Sequence, residues 1–366
     1  MNTALDESVL DSADRLAAAD RDGLLRALAT AGAQIRESLA RTGEADVAVH
    51  LGGVRPRAVL LAADPLADDA AALLTALAGG PEAAAPMVRH DGPALPAWAG
   101  ATDAVLAVTQ SPTAAAVPAL ADAAARRGLT VLGVGADEST LHEACGRNRV
   151  PFVALPAGRL PRAALWGLLA PLLVAAGELG LLPRTGEDLA RTADLLDELA
   201  ERVRPSSETY GNPAKSLALD LAESQPVLVG TSAAAGAVAR RLAGQLAESG
   251  RPAPWGTLPA AATRLGGLLT GSDIASDDLF RDRAEEPGPA RPRLVLIRDG
   301  GEADHMQALA DQLVADCGRR GVGVSEVAAE QGAGPVGRLG SLIGLLDFAA
   351  AYLGLAAGTG PDQEET

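Results

Sequence analysis

The sequence predicts an α/β protein of two tandem halves, each a parallel sheet flanked by helices. Short apolar runs without polar alternation recur between helical patterns, which is how strands covered on both faces read. The order of strand followed by helix also starts twice, before and after residues 184–204. At 366 residues the length suits two domains, and 48% apolar residues supply ample core. Only 2% of residues are aromatic, so Ala, Leu and Val must do the packing.

In chain order, residues 5–39 carry helical spacing in Leu16, Leu24, Leu25, Leu28, Ile35 and Leu39, and 1–50 reads as a helical segment. The first half, 51–183, has apolar runs at 57–64, 103–110, 128–135 and 151–156. Helical patterns follow the first two, at 66–77 and 113–127. Residues 158–183 (GRLPRAALWGLLAPLLVAAGELGLLP) form the longest apolar run. Its roughly twenty apolar residues match a membrane span in length. Pro171 and Glu178 inside it, and the lack of Trp/Tyr anchors or a basic cluster, favour a buried helix over 160–182 joining the two domains. Pro171 is expected to kink it.

A charged amphipathic linker helix occupies 184–204 and ends at Pro205. The second half, 205–358, has runs at 225–232, 293–298 and 322–327, with helices expected over 233–248, 304–319 and 336–355. Residues 271–292 are acidic and Pro-rich and read as a surface loop, and 359–366 as an acidic tail.

A net charge of −16 disfavours nucleic acid and anionic membranes as partners, leaving room for a local basic pocket. Cys145 and Cys317 are too few and too distant for a disulfide framework or metal site. His50, His90, His142 and His305 have no ligand spacing, so no metal or cofactor is expected. The N-terminus has no basic region followed by an apolar core, which makes a cytoplasmic location the expectation.

Ligands of open parallel sheets bind beyond the carboxyl ends of the strands. The loops there are 63–66, 109–113, 135–140, 230–235 and 298–304. Gly133-Val134-Gly135 lacks the third glycine of a dinucleotide fingerprint, with Glu138 in its place. A P-loop is excluded, because Lys215 is the only lysine and no GxxxxGK[ST] contains it. Gly230-Thr231-Ser232 sits where a nucleophile elbow would, without the second glycine, and reads as a helix cap. Thr109-Gln110-Ser111-Pro112-Thr113 ends a strand and opens a helix, as either a phosphate cradle or an ordinary cap. Arg162, beside Pro161, starts the long apolar helix, where backbone N–H groups favour anions; spacing alone favours a surface arginine near a helix start. Asn212-Pro213-Ala214-Lys215 is the most specific short string, because it keeps a lysine where every other basic residue is arginine.

Arg162 within PRAALWGLLAPLL, Asn212-Pro-Ala-Lys215, and GRLGSLIGLLDFAAAYLGLAAGTGP together resemble the bacterial bifunctional phosphoglucose/phosphomannose isomerase family of tandem sugar-isomerase (SIS) domain proteins. The resemblance runs from about residue 57 to 361. It implies two SIS domains, a homodimer, and a hexose 6-phosphate interconverted between aldose and ketose without a cofactor. It also implies substrate contacts at Thr109, Ser111, Thr113, Arg162, Asn212 and Lys215, with Arg162 the catalytic candidate against the developing enediolate.

The departures fall on the motifs. Ala63-Asp64-Pro65-Leu66 stands where the family has a Gly-Gly-Ser loop. Thr109-Gln110-Ser111-Pro112-Thr113-Ala114 replaces its Ser-x-Ser-Gly-Asn-Thr. The Glu and the Asn-His-Asn expected after Leu258-Pro259 are absent. Proton transfer between C1 and C2 needs a carboxylate base, and ring opening an acid such as His. Three readings follow. One is a sugar-phosphate-binding protein with weak or lost isomerase activity. The second is a working isomerase with Asp273 or Glu208 as substitute base. The third is a dimeric regulatory scaffold that binds no sugar.

Overall fold

The computed structural model describes residues 7–80, 83–155, 159–270 and 291–358. Most of the loop expected at 271–292, the tail at 359–366 and Asp273 lie outside the described residues.

Three short helices come first, α1 (Glu7–Leu10), α2 (Ala13–Ala19) and α3 (Leu24–Leu28). Then α4 (Ala31–Glu44) and α5 (Val47–Leu51) lead to β1 (Val59–Ala63), α6 (Asp68–Ala78), β2 (Met87–Arg89), β3 (Ala104–Thr109) and α7 (Ala116–Arg126). After these come β4 (Thr130–Ala136), α8 (Thr140–Asn148), β5 (Phe152–Leu155), α9 (Leu165–Glu178) and α10 (Gly186–Arg202). The second run is α11 (Pro213–Ala222), β6 (Ser224–Gly230), α12 (Ala233–Glu248), β7 (Trp255–Thr257), α13 (Ala260–Arg264) and α14 (Gly266–Thr270). It closes with β8 (Arg291–Arg298), α15 (Asp304–Arg319), β9 (Gly323–Ala328) and α16 (Pro335–Ala356).

The chain divides into two compact units, Ala29–Asp197 and Met1–Leu28 with Glu198–Thr366. This differs from the sequence boundaries at 50, 183 and 204. Leu10 and Leu16 are fully buried, and α1, α2 and α3 pack on α16, so the first helices belong with the second half. Helix α4 belongs with the first, because Ile35 is buried and Gln34 Nε2 donates to the Ala163 carbonyl at 2.7 Å. The charged helix expected at 184–204 is α10, and it crosses the division.

In the 29–197 unit the strand order is β2-β1-β3-β4-β5, every pairing parallel. Leu60, Ala62, Val105, Ala107 and Val131 pack with Leu120 and Ala124 of α7 and Leu141 and Cys145 of α8. The pleat sends Val59, Leu61 and Ala63 the other way, and α6 and α9 also pack on this sheet. The helix expected over 160–182 is shorter: a 3₁₀ turn, Pro161–Ala163, precedes α9, and Gly180 at φ +76° ends the run. Helix α9 is buried almost throughout, continues through Pro171, and lies inside one unit. It therefore does not join the halves; α10 does.

The other sheet has the order β7-β6-β8-β9, again all parallel. Val227, Val229, Leu294 and Leu296 pack with Ala310, Leu313 and Cys317 of α15. Helices α11 and α12 pack on α16, where Arg241 grips Asp347 through Nε and Nη2, both at 2.8 Å. Helix α16 has the length and mean hydropathy (1.7) of a membrane span, yet 78% of that window is buried within the protein. Such burial marks the core helix of a folded unit. The two three-residue strands, β2 and β7, both at sheet edges, escape the sequence patterns.

Candidate functional site

In a sheet of order β2-β1-β3-β4-β5 the connections leave β1 and β3 in opposite directions, which opens a crevice beyond their carboxyl ends. Asp64 follows β1 into that crevice and is 7% exposed. Its Oδ1 accepts from Ala67 N at 2.9 Å, capping the 3₁₀ turn Pro65–Ala67. Its Oδ2 accepts from the Thr109 hydroxyl, from Gln110 N at 3.1 Å and from Ser111 N at 2.9 Å. One carboxylate thus takes every one of these donors at the end of β3. Two backbone N–H groups and a hydroxyl converging on one point make an anion-binding concavity. Here the anion belongs to the chain.

The surroundings hold this geometry. Gly135 faces Thr109, where an added Cβ would come 2.4 Å from its carbonyl oxygen. Gly135 therefore serves close strand packing, and Gly133 leaves room for the side chains of Cys145 and Phe152. Thr140 at the start of α8 donates through its hydroxyl to Ala114 O at 2.5 Å, and Gln110 Nε2 donates to Pro161 O at 3.3 Å.

The other unit repeats the arrangement with the roles exchanged. The order β7-β6-β8-β9 places its crevice between β6 and β8. The hydroxyls now follow the first of these strands and the carboxylates the second. Thr231 donates to Glu302 and Ser232 to Asp299. Glu302 also accepts from Asp299 N at 3.0 Å, and Asp299 from Gly301 N at 2.9 Å. Ser232 caps α12 by accepting from Ala235 N at 3.1 Å, as the sequence reads. An added Cβ on Gly230 would lie 2.2 Å from Gly236 N, so only glycine fits where β6 meets α12.

Of the six site residues expected from sequence, Thr109, Ser111, Thr113 and Arg162 lie in the 29–197 unit, and Asn212 and Lys215 in the other. Thr109 and Ser111 lie in the Asp64 network. Thr113 is exposed and precedes α7, which starts at Ala116 and not at 113, so Ser111 and Thr113 are not at a helix N-terminus. Arg162 is exposed on its 3₁₀ turn, next to the Pro161 carbonyl that Gln110 reaches. Asn212 is buried and caps α11, accepting from Ala214 N at 3.0 Å and Lys215 N at 3.1 Å. Lys215 is 1% exposed, and its ammonium donates to the carbonyls of Leu10 (2.6 Å), Pro205 (2.8 Å) and Ser207 (2.8 Å). Three carbonyls match the three donors of an ammonium, which assigns Lys215 to tying segments together. Glu208 is exposed and hydrogen-bonded to Tyr210. Sequence reasoning named the 298–304 loop without singling out Asp299 or Glu302. A separate cavity of about 540 Å³, lined by Leu39, Val174, Glu178, Thr185 and Arg191 among others, includes none of these residues.

The bacterial phospho-glucose isomerase C-terminal SIS domain matches residues 211–366. A bifunctional phosphoglucose/phosphomannose isomerase of Caldicellulosiruptor bescii is 29% identical over 167 residues. Residues 211–366 are thus similar to the C-terminal SIS domain of bacterial phospho-glucose isomerases. That match takes in 45% of this chain and 49% of the C. bescii protein, so the chain spans about half the length of the curated relative it matches. A glucose-6-phosphate isomerase from Chlamydia trachomatis shares the fold at TM-score 0.61 and 13% identity, over 88% of this chain and 69% of that one. The C-terminal domain of glucosamine-fructose-6-phosphate aminotransferase from Francisella tularensis does so at TM-score 0.59 and 10% identity, over 93% and 98%. Both structures share the α/β fold of parallel sheets flanked by helices. The family match covers Thr231, Ser232, Asp299 and Glu302, whereas Asp64 and Thr109 lie before it.

Proposed function

We propose that the chain is a SIS protein of the phosphosugar isomerase family in which hexose 6-phosphate binding is weak and aldose–ketose isomerisation is lost. One observation carries this reading: Asp64 already takes the Thr109, Gln110 and Ser111 donors. A phosphate brought there meets a fixed like charge. At about 4 Å and an effective dielectric near 20, each unit of charge costs about 4 kcal/mol, close to three decades of affinity. The segment after Leu258-Pro259 supports the same conclusion, because Ala260–Arg264 is a short helix without the carboxylate and imidazole the reaction needs. A cytoplasmic homodimer remains the expected state, checked by light scattering.

A second reading is favoured by a specific pair. Asp299 and Glu302 stand beside two hydroxyls at the strand ends of the second sheet and could replace the missing base. A coupled assay on glucose 6-phosphate, mannose 6-phosphate and fructose 6-phosphate, run beside calorimetric titration, separates the two. Absent turnover with weak or no heat supports the first. Turnover that Glu302→Gln or Asp299→Asn abolishes supports the second.

A further inference from the structure

We infer that Asp64 is a built-in surrogate for a bound phosphate, keeping the Thr109–Ser111 loop in its anion-bound form, and that removing it unmasks a latent oxyanion site. The inference rests on the proposed loss of phosphosugar binding, and it concerns how that loss is built.

An ordinary turn cap needs one acceptor oxygen for one nearby N–H. Asp64 Oδ1 does that work toward Ala67. Its Oδ2 does something different, gathering a hydroxyl and two consecutive backbone N–H groups from a strand end 45 to 47 residues away. Neither Gln110 N nor Ser111 N has another acceptor in a helix or sheet, because both follow β3 and α7 begins only at Ala116. Both N–H groups are part-buried, and two consecutive N–H groups with a hydroxyl aimed at one point favour an anionic acceptor. The position is the switch-point crevice, where ligands of open α/β sheets bind. Asp64 makes the occupied shape permanent, whatever phosphosugar is present.

The test is chemical rescue by inorganic phosphate. Asp64→Gly and Asp64→Ser remove the carboxylate and leave the three donors facing open space. Both should melt below the parent in chloride buffer. At about ten times its Kd, phosphate should raise their melting temperatures by about 3–5 °C at constant ionic strength, while the parent stays put. Asp64→Asn, which keeps the side-chain volume in the crevice, should show little rescue. Should Asp64→Gly fail to fold, Asp64→Ser carries the test, and calorimetric phosphate binding to the folded variant gives a second readout. Folded variants that neither bind nor respond to phosphate would reduce Asp64 to a plain cap. An equal phosphate response in the parent would place the anion site elsewhere and overturn the inference. Isomerase turnover by the parent would refute the proposed function and leave the rescue result readable by itself.

Discussion

Lys215 is held by carbonyls of Leu10, Pro205 and Ser207, which converge from separate segments on one compact ammonium. A planar guanidinium cannot point its donors at three such acceptors, so this one position keeps lysine in a chain otherwise rich in arginine. Lys215→Arg and Lys215→Met should each lower unfolding free energy by about 1–3 kcal/mol, read from denaturant midpoints, by leaving carbonyls without donors. Neither should change phosphosugar affinity. The sequence singles out Lys215 as the one retained lysine, and the resemblance implies a substrate contact there. Only the fold brings Leu10 to it. Cys145 offers a pH test. Burial, then the charge of Asp122, pushes its thiol from 9.0 up to about 12. The native state therefore keeps this proton after the unfolded chain loses it. Its contribution to stability is complete below about pH 9 and is lost as pH rises from 9 toward 12. The melting temperature of Cys145→Ala should fall less steeply than the parent's across that window. In the folded parent, Cys145 should resist alkylation near pH 8.

At the scale of elements, glycines separate close packing from mere flexibility. Gly230 abuts the backbone of α12, with Ala235 C at 2.4 Å and Gly236 N at 2.2 Å from an added Cβ. Backbone cannot step aside as a side chain can, so Gly230→Ala should destabilise by about 1–3 kcal/mol or more. Gly244, exposed on the same helix, has nothing within 4 Å of an added Cβ. Gly244→Ala should stabilise by about 0.5–1 kcal/mol through helix propensity, measured in the same denaturant series. The long helices α12 and α15 were legible to the residue, because a 3.6-residue period over sixteen positions leaves little freedom. Ser232 also caps the start of α12, whereas Ala303 before α15 makes no side-chain cap. The start of α7 was not legible: the Ser-Pro-Thr string looks like a cap, yet the loop is drawn toward Asp64 and α8 and the helix waits until Ala116. Strands β2 and β7 are too short to show a period at all.

Across the whole molecule, both sheets bring acids and hydroxyls to the crevice where the strand order reverses. The repeat of strand and helix, and so the two parallel sheets, could be read from apolar runs alone. The filling of the crevices could not. The sequence placed Asp64 where a Gly-Gly-Ser loop was expected, but one substitution does not reveal that its carboxylate reaches 45 residues ahead. Nor could periodicity assign residues 7–28 to the second unit, since amphipathic spacing shows that a face is buried and not against which partner. The proposed function has Asp64 occupying the anion site at the end of β3. The most direct test is conversion of fructose 6-phosphate to glucose 6-phosphate and mannose 6-phosphate by the purified parent protein. The expected rate is indistinguishable from that without protein. Turnover in the ordinary enzyme range of about 1–10³ s⁻¹ would contradict it.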